Sequence, residues 1–265
     1  MGKIITTAFT LGETLTQEQL DYFNKNGVIR FKNFISRDTV NTIISEINRI
    51  EKEWLAEGRT KVNGTLLKFG IDEFGNKIIQ RPCFLSLFSP FLHELLQDKR
   101  FDALKPMLYP YEGRIGEDEK DGLVLNHYVR VEGGVFSKMG WHTDCPRDLF
   151  LGEKIMPMLN VGIHLDDVPF ENGGLRVLPG THKKGVFNLM FGKRYYSNND
   201  DKNEVGFNIE AGDLTVHEGR VWHRAKQSPY TGAASRRRVL YVPMITGKYA
   251  PKNEKSKTAL YHYFR

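Results

Sequence analysis

The segment Gly140-Trp141-His142-Thr143-Asp144 lies within a run of short strand-like segments. The run of strands predicts the fold, and the histidine and aspartate of this segment predict the site. Successive side chains of a β-strand point to opposite faces, so His142 and Asp144, two residues apart, point to the same side. A second histidine, His223, follows His142 by 81 residues, directly after Val221 and Trp222. The spacing predicts a close His–Asp pair that the fold joins to a distant histidine.

Two imidazoles and one carboxylate suit one face of an octahedral Fe(II) ion. Three protein ligands on one face leave three positions open for a chelating co-substrate and dioxygen, which indicates oxidation chemistry. His217 is an alternative third ligand, because the even spacing to His223 puts both on one face of an unbroken strand. Gly219 is expected to interrupt that strand. His217 is then a core residue that can hydrogen-bond a ligand and fix its tautomer.

The first part of the chain carries helix signals. Thr16 and Gln19 match a capping box, and Gly27 can end the helix that they start. Ser36 precedes a long segment in which apolar residues recur at three- and four-residue steps, from Val40 to Trp54. A third helix is expected to start at Ser89-Pro90, because proline suits the first helical position.

From residue 123 onward, short strand-like segments are separated by glycine and proline. Strands are predicted at 123–131, 135–142, 157–166, 174–178, 186–190, 205–209, 214–217, 220–225 and 237–246. Helices followed by a run of strands predict a mainly β (α+β) fold, a β-sandwich or jelly roll with N-terminal supporting helices. The 265 residues fit one domain, with a helical part at about 14–122 and a jelly-roll core at about 123–246.

Composition bears on location and partners. No apolar run approaches the ~20 residues of a membrane span, and no secretory signal is recognised, so a cytoplasmic protein without a membrane partner is expected. Two cysteines, Cys83 and Cys145, are expected to be reduced thiols. The net charge of +6 is spread along the chain, which argues against a nucleic-acid partner. Nothing in the sequence specifies the oligomeric state.

Further motifs, in order, resemble the phytanoyl-CoA dioxygenase family of Fe(II)/2-oxoglutarate-dependent oxygenases. The resemblance covers roughly residues 15–244 and is carried by the opening at 15–36 and by the segments 171–182, 211–217, 221–225 and 236–238. It implies a double-stranded β-helix, the cupin-like form of the jelly roll, with N-terminal supporting helices. It also implies the use of Fe(II), 2-oxoglutarate and O2, with ascorbate as a candidate additional reductant. It also implies that His142, Asp144 and His223 are the metal ligands and catalytic residues.

The resemblance further implies where 2-oxoglutarate binds. An arginine can hold its distal carboxylate through two parallel hydrogen bonds. The family places this arginine two residues before the apolar strand body that starts at Val239, which selects Arg237. Arg236 and Arg238 remain alternatives and share the opposite face. On an upstream strand, Tyr128 and Arg130 are further candidates for binding the co-substrate.

The expected reaction is hydroxylation of an unactivated C–H bond of a small molecule, with formation of succinate and CO2. Halogenating relatives lack the metal-binding carboxylate, so Asp144 favours hydroxylation, while desaturation or cyclisation stays an alternative outcome. A cupin-like binding module without turnover and a zinc hydrolase are the alternatives from other classes. Candidates for the substrate pocket are Trp141, Arg147, Phe150, Lys68 and Arg81.

Overall fold

The structure is a computed structural model that describes residues 2–134, 136–144 and 155–258. Cys145, Arg147 and Phe150, which sequence analysis singled out, lie outside the described residues. Cys83 is a buried free thiol.

Helices dominate the first part of the described chain and strands the second. The helices are α1 (Gln17–Asn26), α2 (Arg37–Ala56), α3 (Pro90–Leu95), α4 (Lys99–Asp102) and α5 (Val186–Phe191). The strands are β1 (Lys3–Ile5), β2 (Val28–Phe31), β3 (Lys61–Val62), β4 (Thr65–Leu66), β5 (Lys68–Ile71), β6 (Lys77–Arg81), β7 (Arg114–Ile115), β8 (Val124–Tyr128), β9 (Met139–His142), β10 (Met158–His164), β11 (Gly174–Val177), β12 (Val205–Phe207), β13 (Leu214–Glu218), β14 (His223–Lys226) and β15 (Arg237–Ile245).

The predicted helix ends are confirmed. Thr16 Oγ1 accepts a hydrogen bond from the Gln19 amide (3.2 Å), and Gln19 Oε1 accepts one from the Thr16 amide (2.9 Å), which completes the capping box. Gly27 ends α1 in the left-handed conformation, with φ of 74°. Ser36 caps α2 by accepting from the Thr39 amide (3.1 Å). Local sequence is enough here because each cap satisfies backbone groups that the helix leaves unpaired.

Two sheets form the jelly roll. The larger has the order β2-β13-β10-β15-β7, with β8 paired to β15 as well, and the smaller has the order β1-β12-β11-β14-β9. The apolar face of α2 and alternate residues of the larger sheet, among them Leu159, Val161 and Ile163 of β10, belong to one buried cluster. Because strand side chains alternate, Asn160 of β10 must point the other way, into the space between the sheets.

One strand prediction is wrong. Residues 186–190 form a helix, α5, in which only Leu189 is buried. A short apolar run has no periodicity that separates a strand from a helix. Several predicted strands are also shorter than expected, and β9 begins only at Met139.

In the part of the chain that the structure describes, no helix has the length and apolarity needed to cross a bilayer.

Candidate metal centre

The smaller sheet brings together the three residues predicted to bind metal. His142 at the end of β9 and His223 at the start of β14 are direct partners across an antiparallel pair. Their ring centroids are 4.1 Å apart. Asp144 follows β9, and its amide donates to the Gly219 carbonyl (2.8 Å). Its Oδ1 lies 4.0 Å from His142 Nε2, and its Oδ2 lies 3.7 Å from His223 Nε2.

Hydrogen bonds fix which nitrogen of each imidazole faces the carboxylate. His142 Nδ1 donates to the Gly140 carbonyl (2.8 Å), and His223 Nδ1 donates to the Val221 carbonyl (3.0 Å). A carbonyl only accepts, so each Nδ1 carries the hydrogen and each Nε2 presents a lone pair when the ring is neutral. Two lone pairs and a carboxylate converge, with all ligand atoms within 4.8 Å of one another. This donor set fits a divalent cation, and backbone-held imidazoles are usual in metal sites.

The facing sheet orients the carboxylate through a residue that the sequence analysis missed. Asn160 of β10 donates from Nδ2 to Asp144 Oδ2 (2.6 Å). Its Nδ2 also lies 3.3 Å from Nε2 of His217, its register partner on β13. The polar Asn160 between the apolar residues Leu159 and Val161 was the available signal, because a buried amide needs hydrogen-bond partners.

His217 takes the structural position expected for a core residue. Glu218 ends β13 in the larger sheet and His223 begins β14 in the smaller one, so the chain breaks near Gly219 as predicted. The His217 ring nevertheless lies 4.4 Å from the His223 ring. Burial, together with the neighbouring His223, lowers the pKa of His217 well below its usual value, so this ring is neutral near pH 7.

Arg237 lines the cavity that also contains His142, Asp144 and His223, and it lacks a carboxylate partner among the described residues. Its guanidinium donates to the carbonyls of Ser137 (2.9 Å) and Lys226, while its Nε has no partner in the described chain. Burial lowers its pKa to about 10, so it stays charged near pH 7. An unpaired buried cation is costly unless a ligand compensates it.

The two neighbouring arginines point to the other face of β15. Arg236 pairs with Glu73, and Arg238 pairs with Asp166 (2.7 Å). Both line a separate cavity beside α2. Each already has a carboxylate partner, so Arg237 alone of the three offers an unmatched charge to the cavity that holds the ligand residues.

The other co-substrate candidates differ in position. Tyr128 is the register partner of Arg237 on β8, and its ring centre lies 5.6 Å from the Arg237 guanidinium carbon. It also stacks on Phe136 (4.6 Å) and lines the cavity. Arg130 is not among the cavity-lining residues, since its guanidinium donates to the carbonyls of Ser228 and Pro229 (both 3.0 Å). The structure thus brings Tyr128, but not Arg130, to Arg237.

Of the described substrate-pocket candidates, only one lines the cavity. Arg81 does so while paired with Asp121 (2.9 Å). Lys68 places its ammonium over the Phe136 ring (5.2 Å) and does not line the cavity. Trp141 is fully buried in the core.

An ion pair behind the smaller sheet was not predicted. Arg224, the residue after His223, is buried and pairs with Glu204 and Asp200 (both 2.6 Å). Its guanidinium carbon lies 5.0 Å from the ring of Trp141, the residue before His142. The face of β9 and β14 opposite His142 and His223 is therefore held by buried charge and an aromatic ring.

A jelly roll with two histidines and one carboxylate inside it is the architecture of a non-haem metal enzyme. The family model of phytanoyl-CoA dioxygenase matches residues 23–237. The chain therefore belongs to the phytanoyl-CoA dioxygenase family, and the resemblance seen in the sequence is confirmed. A search of curated proteins finds no significant match.

Solved structures share the fold at low sequence identity. The non-heme alpha-ketoglutarate-dependent carbocyclase SnoK from nogalamycin biosynthesis aligns with a TM-score of 0.63 and 16% identity, covering 92% of this chain and 89% of its own. The epimerase SnoN from the same biosynthesis aligns at 0.60 and 17%, covering 89% and 85%. HygX from Streptomyces hygroscopicus, with nickel and 2-oxoglutarate bound, aligns at 0.60 and 16%, covering 90% and 89%. These matches confirm the predicted fold class.

Proposed function

We propose that this protein is an Fe(II)/2-oxoglutarate-dependent dioxygenase that hydroxylates an unactivated C–H bond of a small molecule, with formation of succinate and CO2. One observation carries the proposal. Two imidazole lone pairs and a carboxylate converge in the same cavity as a buried guanidinium that lacks a carboxylate partner in the described chain. A metal and a dicarboxylate co-substrate satisfy these two features together.

His142, Asp144 and His223 are the residues that would hold Fe(II), on one face of the ion. When bound, Fe(II) supplies the oxidative chemistry, using O2 and 2-oxoglutarate. The protein contributes orientation: carbonyls at Gly140 and Val221 hold the two rings, and the facing sheet holds the carboxylate. Such supporting contacts fix the tautomer and raise the basicity of ligands.

Arg237 is the residue proposed to bind the distal carboxylate of 2-oxoglutarate. Its guanidinium is rigid and permanently charged, and a carboxylate can engage two of its N–H groups at once. The orphaned Nε supplies a donor that a ligand oxygen can satisfy. Tyr128 packs beside it as the register partner and is proposed to complete this subsite.

Hydroxylation is the preferred outcome, and related outcomes form the second candidate. SnoN is an alpha-ketoglutarate-dependent epimerase and SnoK an alpha-ketoglutarate-dependent carbocyclase, so the same fold hosts reactions other than hydroxylation. Asp144 argues against halogenation, because the carboxylate fills the position that a halide needs. Identifying the oxidised product by mass spectrometry with 18O2 separates hydroxylation, which adds labelled oxygen, from inversion or cyclisation.

The metal assignment is tested by mixing anaerobic protein with Fe(II) and 2-oxoglutarate. We expect a weak visible absorption band, which His142→Ala and His223→Ala abolish. His93→Ala is the matched control, because His93 is an exposed histidine paired with Glu117 on the surface. Persistence of the band in both ligand variants contradicts the assignment. Tightly bound zinc without succinate formation under O2, with or without ascorbate, points to the hydrolase instead.

A further inference from the structure

Helix α5 exposes an unusual amount of aromatic surface. Phe187 and Phe191 are 79% and 69% exposed, and Val186 beside them is 64% exposed. The two phenyl rings contact each other, with centroids 5.2 Å apart. Leu189 alone anchors the helix in the core, at 4% exposure. The aromatic pair therefore projects from the surface as a ridge.

Basic residues flank this ridge on both sides. Lys183 and Lys184 precede the helix, Arg194 follows it, and all three are exposed. None of the three has a carboxylate partner among the described residues. No Asp or Glu occurs anywhere from residue 172 to 199. The ridge is thus apolar at its tip and positively charged at its base.

The ridge is connected to the metal centre by a short path. Tyr195 Oη donates to the Leu189 carbonyl (2.9 Å) and lies 2.7 Å from Oγ1 of Thr143, the residue between the two ligands His142 and Asp144. The ring of Tyr196 lies parallel to that of His142, with centroids 6.5 Å apart. Any external surface that α5 contacts would therefore lie close to the wall of the candidate active site.

We propose that α5 docks on an anionic lipid surface, with Phe187 and Phe191 inserted among the headgroups and Lys183, Lys184 and Arg194 facing the lipid phosphates. Aromatic side chains in the apolar layer and cations at the headgroups are the general pattern of interfacial binding. A peripheral contact needs no membrane span. The proposal therefore departs from the sequence-based expectation of no membrane partner, which rested on the absence of a span.

Shape and charge favour a lipid surface over a protein partner. A stable protein interface needs roughly 800 Å² per partner of complementary surface. Two projecting rings insert readily into a fluid layer, whereas a protein must supply a matching pocket. A second copy of this chain is disfavoured as well, because the same basic residues would face each other across a twofold axis.

The test is co-sedimentation of the full chain with phosphatidylcholine vesicles prepared with and without phosphatidylserine. We expect binding that depends on phosphatidylserine and weakens at high salt. Phe187→Ser/Phe191→Ser is expected to lower partitioning by about tenfold or more, because burial of one phenylalanine side chain alone can change an equilibrium that much. Lys183→Ser/Lys184→Ser is expected to lower partitioning onto the vesicles by about fivefold for each charge removed.

Phe74→Ser is the matched control. Phe74 is 80% exposed, but it lies in the β5–β6 turn beside the acidic residues Asp72 and Glu73. We expect this variant to bind like wild type, and circular dichroism verifies that all variants are folded. Failure of the wild type to bind phosphatidylserine vesicles overturns the proposal, as does binding that survives Phe187→Ser/Phe191→Ser. Concentration-dependent dimerisation lost in that variant, without vesicle binding, assigns the ridge to a second copy.

The vesicle experiment needs no turnover, so its result is independent of the proposed oxygenase function. A protein that binds vesicles without making succinate retains the docking surface and loses only the reaction assignment.

Discussion

Arg237→Met should separate ligand binding from fold stability. Methionine fills similar space without charge, so the variant removes the buried guanidinium and leaves the metal ligands in place. We expect the affinity for 2-oxoglutarate to fall sharply while the ligand-free protein stays folded. Arg236→Met is the matched control, because Arg236 directly precedes β15 and pairs with Glu73 away from the cavity that contains Arg237.

The size of each effect follows from the contacts of Arg237. Losing one partner of a buried, hydrogen-bonded charge pair costs about 2–5 kcal/mol, so binding should weaken by about thirtyfold to several thousandfold. In the ligand-free protein, the substitution has two opposing effects on the free energy of unfolding. Burial lowers the Arg237 pKa from its ordinary value to about 10, which corresponds to roughly 3 kcal/mol of desolvation that methionine avoids. The carbonyls of Ser137 and Lys226 lose a donor, at about 1–3 kcal/mol each.

These opposing terms leave the free energy of unfolding of the ligand-free variant within about 3 kcal/mol of wild type. Anaerobic calorimetric titration of 2-oxoglutarate into metal-loaded protein measures the affinity. Denaturant unfolding with and without 2-oxoglutarate measures the linked stabilisation, which for wild type is about 2.7 kcal/mol at a hundredfold excess over Kd. An Arg237→Met affinity within a few fold of wild type refutes the reasoning, and so does a large loss in Arg236→Met.

The remaining predictions concern the supports of the site and the core. Asn160→Ala should weaken Fe(II) affinity by about tenfold in a metal titration, because Asp144 loses its orienting hydrogen bond; unchanged affinity contradicts this role. Glu204→Gln should destabilise the fold by about 3 kcal/mol in denaturant unfolding, since Arg224 is left with Asp200 as its only carboxylate partner among the described residues; an unchanged midpoint counts against it. Burial lowers the pKa of His164 to about 4, so stability present above the ordinary histidine pKa is lost as pH falls from about 6.5 to 4, by at most about 3 kcal/mol. His164→Gln should flatten that part of the stability–pH curve, and an identical curve excludes His164 as its source.

Local sequence determined a large share of the architecture. The capping box at Thr16 and the left-handed Gly27 were predicted because each depends on neighbours within a few residues. The alternation that puts His142 and Asp144 on one side is likewise a property of a single strand. The buried face of α2 was predicted from the three- and four-residue spacing of its apolar residues, because that spacing puts them on one side of a helix.

Other features depended on which elements face each other. The 186–190 segment was predicted to be a strand, but it forms helix α5. This helix packs against the residue that precedes β14, since Trp222 Nε1 donates to the Asn188 carbonyl (3.0 Å). The role of Asn160 could not be predicted from the sequence, because its partner, Asp144, follows a strand of the other sheet.

By itself, the sequence of this protein determined the residue types of a metal site, their spacing and the jelly-roll class, because periodicity and motif order are properties of one chain segment at a time. The tertiary structure decided which of Arg236, Arg237 and Arg238 lacks a carboxylate partner in the described chain and that His217 lies across the gap from His223. The physical reason is that burial and pairing of charge are set by the packing of two sheets, which join residues far apart along the chain.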